Sequence, residues 1–146
     1  MPSAIRLAGL VVFAIMTWIV SEQVKPLFPE GMAFGRFSIY NAMLGGVIGW
    51  VFMSPRVTER RAGALNAGIT TAVAVVFWVL LFHSIREMIT LSLRKQYDGP
   101  VEAVVGVFQI LLDYGVMIAT PTILITLVIF AVFGGMFCGG VGRRWP

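Results

Sequence analysis

Residues 64–97 read ALNAGITTAVAVVFWVLLFHSIREMITLSLRKQY, and this stretch decides the fold. From Ala64 to Phe82 it is apolar and uncharged. That is about the 20 residues a helix needs to cross a hydrocarbon core of about 30 Å. At His83 the polarity changes, yet no Pro or Gly follows before Gly99. Ile85, Met88, Ile89 and Leu93 recur at helical spacing with charges between them. The pattern predicts a helix that spans at about 64–83 and runs on past the hydrocarbon. Asp98-Gly99-Pro100 is a stop-and-restart signal, because Gly ends one helix and Pro opens the next. Glu102, in the first turn of the new helix, suits its positive dipole end.

Beyond that turn, 101–113 is amphipathic, with Glu102, Gln109 and Asp113 among apolar residues, and Tyr114–Val141 carries no charge. The uncharged run is about 28 residues, or about 42 Å of helix, so tilt or a kink at Pro121 must absorb the excess. A final span is expected at about 116–140, and 84–113 is expected to form a helical hairpin on the outer side. Toward the N-terminus, Phe37–Met53 is a second span, stopped at Ser54-Pro55. Pro26, Pro29, Gly31 and Gly35 break helix within 21–36. Phe28, Met32 and Phe34 are too apolar for a floppy linker, so this loop is expected to lie on the membrane surface or fold over the bundle. A first span covers about 4–21, with Arg6 able to snorkel. Arg6 ahead of an apolar run also fits a signal peptide, but Trp18 and the lack of an A-x-A site favour an uncleaved anchor. The expectation is an all-α, four-helix integral membrane bundle in one domain, with helices three and four extended beyond the outer membrane surface.

Composition agrees. The 146 residues are 58% hydrophobic and 12% charged, about half the charge of an ordinary soluble domain. The net charge is +4, but the basic residues sit singly or in pairs beside apolar runs, as topology determinants do, which argues against nucleic acid as a partner. One cysteine and one histidine exclude an internal disulfide, a structural zinc site, an iron–sulfur cluster and bis-histidine haem within a single chain. No cofactor is expected. Arg6, Arg56, Arg60, Arg61, Arg143 and Arg144 crowd into short segments beside spans, so the N-terminus and the C-terminus are both expected on the cytoplasmic side.

The interiors of the spans carry no charged side chain, whereas ion-coupled carriers usually keep one there. Asn41 is the polar residue of most interest inside, because an amide in hydrocarbon needs an interhelical partner. It suits a structural hydrogen bond better than a substrate contact. Gly45 with Gly49, and Gly135 with Gly139, form GxxxG pairs that let backbones approach closely. Packing within the monomer and packing in a homo-oligomer or larger complex both remain open. His83 is one turn before Glu87, within hydrogen-bond reach at i, i+4, so the pair is a candidate polar site at the outer end of span three. Cys138 lies among Met136, Phe137 and Gly139, apolar surroundings that leave a thiol inert and suit core packing. No triad, phosphate loop, catalytic carboxylate pair or metal motif can be assembled, so no enzymatic activity is expected.

Three stretches carry a resemblance: WIVSEQVKPLFPEG at 18–31, FGRFSIYNAMLGGVIGWVFM at 34–53 and LRKQYDGPVEAVVGVFQ at 93–109. Together they resemble the TrgA family of small membrane proteins of alphaproteobacteria. The resemblance covers nearly the whole chain. It implies a place in the cell inner membrane and an association with tellurite resistance, and brings neither a mechanism nor catalytic residues. The alternatives are an accessory or assembly subunit of a larger membrane complex, and a small oligomeric transporter.

Overall fold

The structure, a computed structural model, describes residues 4–30, 34–53 and 61–145. The stop at Ser54-Pro55, the basic loop at 56–60, and Gly31 and Met32 lie outside the described residues. Five α-helices follow one another: α1 (Ala4–Val24), α2 (Phe37–Met53), α3 (Arg61–Leu93), α4 (Pro100–Ile118) and α5 (Pro121–Arg144). No strand occurs among the described residues. Pro26 has no N–H to offer the carbonyl one turn back, and α1 gives way to a single 3-10 turn at Lys25–Leu27. Gly35, with φ of +48°, turns the chain into α2.

Among the described residues, four helices are long and apolar enough to cross a membrane: α1 continued through Leu27, α3 from Gly63, α4, and α5. α2, at 17 residues, is a shorter apolar helix of about 26 Å. It pairs antiparallel with α1 along its length. Gly9 meets Gly49 and Met53, Thr17 meets Gly45, and Ser21 meets Asn41. α3 has two halves with different neighbours. Ala64 and Gly68 pack on Gly135 and Ala131 of α5, and Thr71 reaches Met53 of α2. Beyond His83, Tyr97 of the α3–α4 turn packs against Gly106 of α4. α1, α2, α5 and the first half of α3 therefore form the bundle. α4 sits against the second half of α3.

The distribution of side chains is the reverse of a soluble bundle. The faces turned inward on α1 and α2 set small or polar residues such as Gly9, Thr17, Ser21, Asn41, Gly45 and Gly49 among Phe13, Met16, Ile48 and Met53. The faces turned outward are large and apolar, among them Val11, Ile15, Trp18, Met43, Val47 and Val51. In lipid no hydrophobic force separates one apolar surface from another, so close backbone approach and interhelical hydrogen bonds hold such a bundle. A small core of Phe13, Met16, Met53, Val75 and Cys138 fills the centre.

Two local readings need correcting. The last helical element is not one kinked helix. It divides at Ala119–Thr120, where Thr120 is extended (φ −80°, ψ 147°) and Pro121 opens α5. Proline disfavours helical backbone in the residue before it, and here that bias breaks the helix outright. Residues 116–118, expected at the start of the final span, therefore belong to α4. Second, Gly99 does not end α3. The helix ends at Leu93, and Lys95 takes the left-handed turn with φ of 56°. Gln96 N–H donates to Leu91 O and Lys95 N–H to Ser92 O, which is the Schellman pattern. Gly99 instead caps α4. Glu102 reaches back to accept from the Asp98 N–H at 2.8 Å, in the manner of a capping box. A side chain in the left-handed region costs about 1–2 kcal/mol. Lys95→Gly is therefore expected to stabilise the fold by about 1 kcal/mol, read as a higher midpoint in detergent denaturation.

Candidate functional site

Four polar residues of the bundle, Thr17, Ser21, Asn41 and His83, lie on one path. On α1, Thr17 and Ser21 are one turn apart and share the buried face. Each hydroxyl bonds back to its own helix: Thr17 Oγ1 to Phe13 O and Ser21 Oγ to Thr17 O, both at 2.6 Å. Ser21 Oγ has then used its hydrogen and can only accept. It accepts from Asn41 Nδ2 of α2 at 2.9 Å. This fixes the amide, so Asn41 Oδ1 points the other way, to His83 Nε2 of α3 at 2.6 Å. A carbonyl oxygen accepts, hence His83 donates through Nε2, and a neutral ring keeps its lone pair on Nδ1. Asn41 is thus a three-helix tie, 2% exposed.

A second tie closes the same end. Glu22 of α1 accepts from Ser38 Oγ of α2 at 2.6 Å and pairs with Lys25 at 2.6 Å. Gln23 Nε2 donates to Thr126 Oγ1 of α5 at 2.9 Å.

The path opens on a cavity of about 360 Å³. Ser21, Asn41 and His83 lie in its wall, with Arg86, Glu87 and Thr90 of α3 and Tyr114 of α4. Phe28 and Phe34 of the α1–α2 connection and Phe37 at the start of α2 line its rim. Their rings form a chain of contacts: Phe28 to Phe34 at 5.6 Å, Phe34 to Phe37 at 5.7 Å, and Phe37 to His83 at 4.8 Å between centroids. Phe28 also meets Tyr114 at 6.2 Å. Edge and tilted arrangements of this kind are favoured by the ring quadrupole. The cavity's interior is apolar toward Met16, Val20, Val75 and Val79.

Of the residues singled out from the sequence, Asn41, His83 and Glu87 come together here. The expected His83–Glu87 bond does not form. His83 turns to Asn41, because a buried amide oxygen on the neighbouring helix is the stronger claimant for its N–H than a carboxylate that solvent can reach. Cys138 is elsewhere, fully buried in the core on α5. Gly45 and Gly49 face α1, and Gly135 and Gly139 face α3, all inside the chain. Ser21, Arg86, Thr90 and Tyr114 were not singled out. Ser21 carried a signal, lying four residues from Thr17 on one helix face. Tyr114 carried none, since only the packing of α4 against α3 brings it to the cavity. Among the described residues no three His, Cys, Asp or Glu side chains gather as metal ligands would.

Comparison with protein-family models, with curated proteins and with solved structures finds no match.

Proposed function

We propose that this chain is a non-catalytic inner-membrane protein with both termini in the cytoplasm, that its working part is the cavity at the outer end of the bundle, and that it serves tolerance of tellurite. The observation that supports the cavity as the working part is the three-helix tie through Asn41 ending on a half-open space of about 360 Å³. Ligand sites are concavities of this order, mostly apolar with a few placed polar groups. The tellurite half rests on the sequence resemblance. Two of its three stretches, 18–31 and 34–53, supply Ser21, Phe28, Phe34, Phe37 and Asn41 to the cavity wall. The third, 93–109, makes the turn that docks α4.

The test is deletion and complementation in the native host. The wild-type gene is expected to restore tellurite tolerance, and His83→Ala, made at equal membrane abundance, to lose most of it. If deletion leaves tolerance unchanged, the tellurite reading falls. A reporter active only in the cytoplasm, fused to the C-terminus, is expected to be active.

A further inference from the structure

The cavity does not end at its aromatic rim. Val76, Leu80 and Leu127 line it and also line a second space, of about 530 Å³, between α3 and α5. That second space is walled by apolar side chains alone, and Ile69, Phe77 and Val128 on its wall are exposed. The chamber, with its few polar groups, therefore shares one wall with an apolar groove on the flank of the bundle.

The chamber's free polar groups are of mixed kind. Among the described residues, the side chains of Arg86 and Glu87 and the hydroxyl of Tyr114 have no hydrogen-bond partner, and all three line the cavity. Arg86 and Tyr114 offer donors, while Glu87 and His83 Nδ1 offer acceptors. One cation and one anion balance. A head with a single fixed charge would satisfy one of them and leave the other facing a like charge at close range. A neutral head sets a like charge against neither: carbonyl oxygens accept from Arg86, and once reduced to hydroxyls they also donate to Glu87. The volume is about twice that of the roughly 150 Å³ cavity that encloses benzene, which is room for one substituted ring. The rim of Phe28, Phe34 and Phe37 offers aromatic faces and edges to such a ring.

We propose that the chamber binds the ring of a lipophilic para-quinone or its quinol, with the ligand's hydrocarbon chain in the α3–α5 groove. The proposal rests on reading the cavity as a ligand site. The quinone carbonyls accept from Arg86 and Tyr114, and the quinol hydroxyls donate to Glu87 and His83 Nδ1.

The test is calorimetric titration of the full chain in nanodiscs with three probes sharing a ten-carbon chain: a para-benzoquinone, decanoate and decylphosphocholine. Saturable binding of the quinone alone is expected. Arg86→Gln with Tyr114→Phe is expected to weaken it about tenfold or more, the effect of losing one or two hydrogen bonds to a buried head. Val128→Trp, on an exposed wall where misfolding is no concern, is expected to weaken the chain-bearing quinone and to leave a chainless benzoquinone unaffected. Equal binding of decanoate or the phosphocholine overturns the quinone assignment and leaves a ligand cavity standing. Quinone binding indifferent to all of these substitutions places it outside the chamber and overturns the inference. No saturable binding of any probe overturns the cavity reading as well.

Discussion

Replacing Gly68 with valine is expected to separate α3 from α5 and to cost about 3 kcal/mol or more. A Cβ at this position would overlap the carbonyl oxygen of Ala131 and stand 2.8 Å from the Cα of Gly135. Both obstacles are backbone, so no side chain can swing aside. Carbon atoms prefer about 3.5–4.0 Å, and the two helices must part by about an ångström, losing contacts along the whole seam. Overpacking alone costs about 1–3 kcal/mol. Here the seam also includes the contact of Gly135 with Ala64 one turn along. Detergent-induced unfolding followed by circular dichroism measures the loss. Gly115→Ala is the internal control. Nothing lies within 4 Å of the added Cβ there, and alanine is the better helix former by about 0.5–1 kcal/mol. It is expected to hold or raise stability. Equal midpoints for Gly68→Val and the wild type would mean that the α3–α5 seam is not part of the folded state.

The second large effect belongs to Asn41. Asn41→Leu leaves the His83 Nε2–H without its acceptor at a largely buried site, and is expected to cost about 1–3 kcal/mol. Adding His83→Phe removes the stranded donor and keeps the ring against Phe37 and Phe82. The double variant is therefore expected to be more stable than Asn41→Leu alone, because replacing both partners by apolar groups removes the penalty that replacing one creates. The same unfolding assay on the four members of the cycle gives the coupling energy. Strict additivity of the two single effects would count against a direct bond between the side chains.

These two sites also show what could be read from the sequence. The glycine pairs were visible as small-xxx-small patterns, since residues four apart share a helix face by geometry alone. Which helix covers each pair was not visible. Gly45 and Gly49 meet α1 while Gly135 and Gly139 meet α3, and that choice is made by tertiary packing. Asn41 was legible as a residue in need of a partner. Its partners, Ser21 and His83, lie 20 and 42 residues away on other helices, and no local rule reaches that far. The His83–Glu87 reading went wrong for the same reason: spacing shows which bonds are possible within a helix, not which competitor arrives from outside it. The apolar character of Phe28 and Phe34 pointed to a loop that packs, and it does, against Tyr114 and Phe37. The end of α3 escaped because a lysine performs the turn that a glycine usually makes.

The order of the helices along the chain has a consequence in time. α1 and α2 are neighbours in sequence, and Gly9 can meet Gly49 as soon as the second helix leaves the ribosome. α3 has no such fortune, because α4 is made before its partner α5. Gly135 is synthesised 67 residues after Gly68. At about 5–20 residues per second, the small-residue face of α3 waits roughly 3–13 seconds for its cover. During that interval Ala64 and Gly68 lie bare beside whatever occupies the translocation site. Two seams that look equivalent in the finished bundle therefore close at different moments in the life of the chain.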